Sequence, residues 1–432
     1  MTVASVSLWG SVIGAIAWDS QRQLGAFEYA ADFAINGPQI APLTMPIGAG
    51  IFEFAELERD TFKGLPGLLA DALPDKFGNA VINAWLDSEG RRADSLNPVE
   101  RLCYIGSRAM GALEFSPARG YRPRGSKPIQ PEPLAELSGS IVNQRPQLSF
   151  QFGDEPENQG AFQEIMQVGT SAGGARAKAI VAWNRQTNEV RSGQLPAPEG
   201  FGYWILKFDG VSANPDQEEP QLRGHGLIEY AYHLMALAAG IEMQECGLLT
   251  DGSRQHFATR RFDRDELGNK IHMLTLCGIA HFDFNRAGAY SYEQALAVIQ
   301  RLGCGRQALE QQFKRMVFNV LARNQADHTK NIAFLMDKSG DWRLAPAYDM
   351  NFAYNPRVDY DHRHQMSING KRDGLSVEDL LSVGRFCGIK RNQGRALISE
   401  VQAGIDLWRD VARQAGVADK PARDIGRQMR RL

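Results

Sequence analysis

The sequence predicts an α+β chain of more than one domain, strand-rich at its start and helical at its end. Three observations carry this. Apolar and polar or small residues alternate with period two through most of the first 33 positions. A stretch at 117–135 holds Pro117, Pro123, Pro128, Pro131 and Pro133 with basic residues between them. From about Tyr290 onward the apolar spacing is that of helices. The 432 residues are also too many for one ordinary core, so two or three domains are expected at roughly 100–200 residues each.

Taken in order, Val3–Trp9, Val12–Asp19 and Leu24–Phe33 read as strands, broken at Gly10-Ser11 and Gln21-Arg22-Gln23. Gly64 to Leu73 and Phe77 to Leu86 show helical spacing, Asp87 to Asn97 is turn-rich, and Leu113 to Ser116 is strand-like. Residues 117–135 read as a linker. Beyond it, strand candidates Ala179–Trp183 and Tyr203–Phe208 follow a small-residue loop, and Leu227–Ala239 has helical spacing. Tyr292–Leu302 and Leu309–Arg323 are the clearest helices, and Ile332–Met336 is an apolar strand. No internal repeat or low-complexity tract is present.

Composition excludes several classes. Hydrophobic residues make up 43% and charged residues 23%, as in soluble globular proteins. With 48 Lys and Arg against 50 Asp and Glu, a wholesale basic coat for nucleic acid or a polyacidic tail is excluded, while a local basic patch is not. No run of 18 apolar residues exists, so no transmembrane helix is expected. The N-terminus lacks a basic segment and reads as a strand rather than a signal peptide. Five scattered cysteines without a CxxC pair suggest reduced thiols and a cytoplasmic setting, and offer no zinc spacing.

Three features carry chemistry. Gly169-Thr-Ser-Ala-Gly-Gly-Ala-Arg-Ala-Lys178 could bring backbone N–H groups, Arg176 and Lys178 to a phosphate chain. It lacks the Lys-Ser/Thr of a Walker A loop, and an exposed glycine-rich loop fits it too. Lys207 lies in the apolar strand Tyr203-Trp-Ile-Leu-Lys-Phe208, where a buried ammonium costs several kcal/mol unless an anion receives it. Kinases place such a lysine on a strand near a glycine-rich loop and pair it with a helix glutamate, for which Glu229 is the candidate. A lysine reaching from an edge strand to water is the other reading. Third, Asn324-Gln-Ala-Asp-His-Thr-Lys-Asn331 precedes the strand Ile332–Met336, and Asp349 follows Asn331 by 18 positions. In protein kinases a catalytic-loop Asp precedes a metal-binding Asn by five positions, and a second metal-binding Asp comes later.

These residues together resemble the HipA-type serine/threonine kinases, toxins of bacterial toxin–antitoxin pairs. The resemblance spans nearly the whole chain. Gly64-Leu-Pro-Gly67, Leu73-Pro-Asp75, Tyr104-Ile-Gly106 and Met110-Gly-Ala-Leu113 look like the family's N-terminal region. The loop 169–178, Arg261-Phe-Asp-Arg264, Asp327-His-Thr-Lys-Asn331 and Tyr348-Asp349 look like its kinase signatures.

The resemblance implies a protein-kinase-like two-lobed fold: an N-terminal subdomain at 1–120, a small lobe at 136–265 and an all-helical large lobe at 266–432. It implies that Gly173, Gly174, Ala175, Arg176, Ala177, Lys178 and Lys207 meet the ATP phosphates, and that Arg260, Arg261 and Phe262 receive adenine. His328, Thr329, Lys330 and Asn331 at the catalytic loop, with Tyr348 and Asp349, would complete the ATP-binding set, Asn331 and Asp349 also holding Mg²⁺. Ser171 matches the serine that the family autophosphorylates, which ejects the loop and shuts the enzyme off. Implied partners are a small helix-turn-helix antitoxin, operator DNA mainly through that antitoxin, and a protein substrate such as an aminoacyl-tRNA synthetase, most familiarly the glutamyl enzyme.

One position departs from the family pattern. Counting back five from Asn331 gives Ala326 where the family carries Asp, commonly as Asp-Asp-His. Asp327 is one residue over, where its side chain is expected to point elsewhere. The chain is therefore expected to bind ATP and Mg²⁺ and to transfer phosphate poorly, as an inactivated variant of a growth-arresting kinase. A natural pseudokinase acting as a nucleotide-binding corepressor is the alternative, and a small-molecule phosphotransferase the third. Asp359, Asp361, His362 and His364 fit no common metal spacing, and His225, His233, His256, His272 and His281 read as core or surface residues. The arginines from Arg423 to Arg431 read as a solvated helix face.

Overall fold

Alternation at the N-terminus produces β1 (Thr2–Leu8), β2 (Ser11–Asp19) and β3 (Leu24–Tyr29), with Ala4, Val6 and Leu8 of β1 all buried. Trp9 and Gly10, both with positive φ, make the two-residue turn between β1 and β2. β4 (Ile51–Phe52) and β5 (Leu113–Ser116) complete a sheet of order β4-β3-β2-β1-β5. The computed structural model describes residues 2–431 apart from 93–94, 119–126, 144–164, 166–168, 170–175, 212–223 and 357–361.

Two early expectations are corrected. The third strand stops at Tyr29, its last residue paired with β2, and the chain turns into the helix Ala31–Asn36 with Asp32 in its first turn. Of the helical stretch at 64–73, only the turn Gly67–Ala70 forms, because Pro66 and Pro74 bracket it. The helix Lys76–Ser88 is capped by Asp75, whose carboxylate accepts from the Gly78 N–H at 2.7 Å.

A second sheet has the order β7-β6-β8-β10-β9, from β6 (Lys178–Asn184), β7 (Glu189–Ser192), β8 (Gly202–Lys207), β9 (Cys246–Asp251) and β10 (Arg254–Arg260). Its buried face, with Val181, Trp183, Trp204 and Leu206, joins one core with Phe77, Val81, Ile82 and Leu86 of the helix Lys76–Ser88. Leu134 of the helix Pro131–Asn143 enters the same core. That helix begins inside the stretch expected as linker, because proline is well placed in a first helical turn.

The large lobe carries the helices Tyr292–Arg301, Gly305–Leu321, Val377–Phe386 and Arg391–Asp406. Ser291 and Gln294 cap the first reciprocally. The lobe is not all-helical as expected: β11 (His272–Thr275), β12 (Ala333–Met336) and β13 (Trp342–Leu344) form a small sheet of order β11-β12-β13. All four residues of β12 are buried, a run too short for a helix. Asp337 closes the hairpin by accepting from the Ser339 and Asp341 N–H groups, with Gly340 at φ +92°.

The chain divides into two compact units: residues 1–38, 47–226 and 246–272 in the first, and 39–46, 227–245 and 273–432 in the second. The helix Lys76–Ser88 shares its core with the second sheet, and both fall in the first unit. Among the described residues no helix is long and apolar enough to cross a membrane. All five cysteines are free thiols.

Candidate functional site

In the first unit, Lys207 ends β8, opposite Lys178 of β6 on one side and Phe257 of β10 on the other. Residues directly opposite in antiparallel strands share a face, so two lysines project together. The Lys207 ammonium lies 5.7 Å from the Phe257 ring centroid. Lys178 is buried, and its ammonium meets the Asp75 carboxylate at 2.9 Å. Arg176 lies 3.5 Å from Nδ1 of His225, and the buried Ala177 accepts a hydrogen bond from the Phe208 N–H. Ser171, Gly173, Gly174 and Ala175 lie outside the described residues.

At the end of β10, Arg260 pairs with Glu266 near the surface, and Phe262 is half-buried. Arg261 turns inward: its backbone N–H donates to Tyr203 at 2.8 Å and its guanidinium grips Asp263 through two bonds of 2.8 and 2.7 Å. Arg264 and the Gly111 N–H donate to the same carboxylate, at 2.9 and 2.7 Å. Burial pushes the Asp263 carboxyl up, but the charges of Arg261 and Arg264 outweigh it and hold it well below the usual range. Burial in turn lowers the Arg264 guanidinium to about 10.

In the second unit, the helix Gly305–Leu321 delivers the chain to Asn324, which bridges to Ala353, while the Gln325 N–H donates to the Ala353 carbonyl at 3.1 Å. The Ala326 carbonyl accepts from the His328 N–H at 3.0 Å and from Nδ2 of Asn331 at 2.9 Å. The 3₁₀ turn Thr329–Asn331 then leads into β12, and Thr329 donates to the Phe282 carbonyl at 2.7 Å. Lys330 lies 4.9 Å over the Phe284 ring, and Tyr348 donates to the Lys330 carbonyl. Burial lowers the pKa of His328, opposed by the nearby Asp349 carboxylate.

Asn331 precedes β12 and Asp349 follows β13. Because these strands are antiparallel, with Phe334 opposite Leu344, both residues leave the same end of one hairpin. Asp349 has φ +54°, a left-handed backbone that Asp and Asn tolerate better than other L-residues. With Nδ2 of Asn331 committed to Ala326, its amide oxygen is the remaining donor atom; together with a carboxylate it makes a hard-oxygen pair of the kind Mg²⁺ takes alongside phosphate oxygens. These residues fit the metal.

Asp327 points the other way. Its carboxylate is buried and accepts from Tyr292 Oη at 2.8 Å, His364 Nδ1 at 2.8 Å and the Gln365 N–H at 2.7 Å. His364, considered for a metal cluster, is thus held against Asp327, while Asp359 and Asp361 lie outside the described residues. Among the described residues no group of three or more His, Cys, Asp or Glu side chains could hold a metal ion. Sequence reasoning missed the partners Asp75, Asp263, Tyr292 and His364. Two of them sit in quoted motifs, Leu73-Pro-Asp75 and Arg261-Phe-Asp-Arg264, but no spacing rule says what a carboxylate will meet across the fold.

Comparison with known families decides the affiliation. The profile described as "HipA N-terminal domain" matches residues 4–116, and that described as "HipA-like C-terminal domain" matches residues 170–426. The chain belongs to the HipA family. The fold is similar to that of HipA from Shewanella oneidensis MR-1, solved with HipB and its operator DNA: TM-score 0.65 and 17% identity, over 98% of this chain and 94% of that one. The Helicobacter pylori proinflammatory kinase CtkA matches at a TM-score of 0.36 and 14% identity over 60% of this chain and 95% of its own, too low a score to bear on the fold. No curated protein matches in sequence. The fold is the kinase-like, two-lobed α+β arrangement of the HipA family.

Proposed function

We propose that this chain is a HipA-type toxin kinase in which nucleotide binding outlasts catalysis. One observation carries the reading: Asn331 and Asp349 hang from one end of a single hairpin, next to a loop whose only acid, Asp327, is turned inward. In this reading Lys207 and the loop at 173–178 receive the ATP phosphates, and Arg260 to Phe262 lie at the adenine end. Bound Mg²⁺ would neutralise charge on the phosphates. Asn331 and Asp349 would hold that ion, and His328, Thr329, Lys330 and Tyr348 support the loop that presents them.

The acceptor is a serine or threonine hydroxyl, by resemblance on an aminoacyl-tRNA synthetase such as the glutamyl enzyme, and on Ser171 of this chain. Ala326 has no atom to accept the hydroxyl proton, and the Asp327 carboxylate already takes three donors. The native chain, in this reading, carries aspartate at 326, and transfer is crippled here while ATP binding is kept. The helix-turn-helix partner and operator DNA are supported by the solved Shewanella relative, which was captured with HipB and DNA.

The test is Ala326→Asp. General-base assistance contributes roughly 10²–10⁴-fold, so labelled phosphate transfer to the chain itself or to a synthetase should rise by that factor. A rate already within a few-fold of the restored chain would make Asp327 the working base and overturn the assignment. The same pair of features, Ala326 and the engaged Asp327, also favours a second reading, a natural pseudokinase that holds its antitoxin. Nucleotide-dependent antitoxin binding with no transfer even in Ala326→Asp would select it.

A further inference from the structure

Position 326 is fixed from both sides. On one side Asn324 donates to Oδ1 of Asn319 at 2.8 Å, and Asn319 donates to Oη of Tyr292 at 2.9 Å. On the other side Asp327 accepts from that same Oη at 2.8 Å, from His364 Nδ1 and from the Gln365 N–H. Asn319, Tyr292, Asn324, Asp327 and His364 are all buried. They come from the helix Gly305–Leu321, the helix Tyr292–Arg301, the catalytic loop and the segment after Asp349. That segment is itself anchored, since the Tyr292 N–H donates to the Ser367 carbonyl and the Gly288 N–H to the Gln365 carbonyl.

A carboxylate buried with three donors costs several kcal/mol to unseat, because each freed group must then lie unpaired in the interior. The phenol links the two flanks of residue 326, accepting from Asn319, which itself receives Asn324, and donating to Asp327. A side chain at 326 therefore has its direction set by groups that never touch substrate.

We propose that Asp327, Tyr292 and His364 are positioning residues: together with Asn319 they hold the catalytic loop so that residue 326 and Asn331 face the reaction, and Asp327 is not a spare base. This rests on the kinase reading of the loop, but its first test does not. Hydrogen exchange on the full chain as it stands compares it with Asp327→Asn and Tyr292→Phe. Exchange at the His328 and Asn331 amides, which close onto Ala326 and His328, should quicken at least tenfold while that of the helix Gly305–Leu321 stays unchanged. Unchanged loop exchange overturns the anchor, whatever the chain catalyses.

The second test uses the Ala326→Asp background. Tyr292→Phe and His364→Leu should each lower kcat about 10- to 100-fold, the scale of a misplaced reacting group, with KM for ATP within about two-fold. His364→Asn, which keeps an N–H where Nδ1 donates, should recover most of the loss. Equal falls in kcat for His364→Leu and His364→Asn, or kcat unchanged in Tyr292→Phe, overturns the positioning role. If Ala326→Asp restores no transfer, the kinase reading fails while the exchange result still decides the anchor.

Discussion

The Lys178 ammonium and the Asp75 carboxylate lie 2.9 Å apart with side chains only 2% and 8% exposed. The lysine leads out of the glycine-rich loop and the aspartate caps the helix Lys76–Ser88, so one carboxylate serves a helix end and a buried charge at once. Removing one partner of such a pair costs about 3–5 kcal/mol. Asp75→Ala should lose about that much stability in denaturant melts, whereas Asp75→Ala combined with Lys178→Met should recover a large part of it. Equal loss in the single and double variants would show that the helix cap alone matters.

Asp263 gathers Arg261, Arg264 and the Gly111 N–H on one fully buried carboxylate. Asp263→Asn keeps the shape but removes the charge facing two guanidinium groups, so we expect a loss on the order of 3 kcal/mol. Thermal melts check it; a change under 1 kcal/mol would mean that the arginines find other acceptors.

Nucleotide binding should depend on Lys207 and on Asp349. Lys207→Ala and Asp349→Ala are each expected to weaken ATP–Mg²⁺ binding at least tenfold by calorimetry, about 1.4 kcal/mol. Ser171→Asp, which supplies one negative charge against the about −1.5 to −2 of a phosphoserine, should weaken it similarly. Full affinity in both alanine variants would place the nucleotide elsewhere.

Acid should destabilise the chain through histidines that fold neutral. Burial lowers the pKa of His233 to about 4, against 6.5 in its ordinary state, with Glu245 opposing. His256 is lowered too, chiefly by burial, and its Nδ1 accepts from the Asp209 N–H, a bond that protonation breaks. As pH falls from 6.5 towards 4 the unfolded chain takes up protons that the folded chain refuses, so stability present above 6.5 is lost through that window. His233→Gln should flatten the decline by up to about 3 kcal/mol at 1.36 kcal/mol per unit. An unchanged slope in melts from pH 7 to 4.5 would count against the assignment.

Much of this molecule was legible from local pattern. Period-two alternation marks β1 and β2, and the strand Leu113–Ser116 and the helix Tyr292–Arg301 fall where spacing puts them. The misreadings have more than one cause. The strand Leu24–Tyr29 leaves β2 opposite Gly14, although β2 extends to Ser11, and Pro131–Asn143 helps bury the face of a sheet. Long-range packing decided what local preference left open there, while Pro66 and Pro74 cut the turn Gly67–Ala70 short. The loop at 324–331 could be read in order, and Ala326 could be singled out by counting. That Asp327 would meet Tyr292 and His364 could not, since these lie 35 and 37 positions away along the chain. Direction of a side chain in irregular backbone is set by the partners available to it, and spacing carries no record of them.

The Asp263 cluster bears on how the protein can be cut. The two family profiles meet this chain at 4–116 and 170–426, which invites treating them as separable modules. Yet a fragment starting after 116 would strip the Gly111 donor from Asp263, lay bare the apolar faces of Trp183 and Trp204 that pack with the helix Lys76–Ser88, and leave Lys178 without Asp75. What sequence profiles parse as two words is, for the folding chain, one indivisible word, and a truncated C-terminal piece should be insoluble rather than merely inactive.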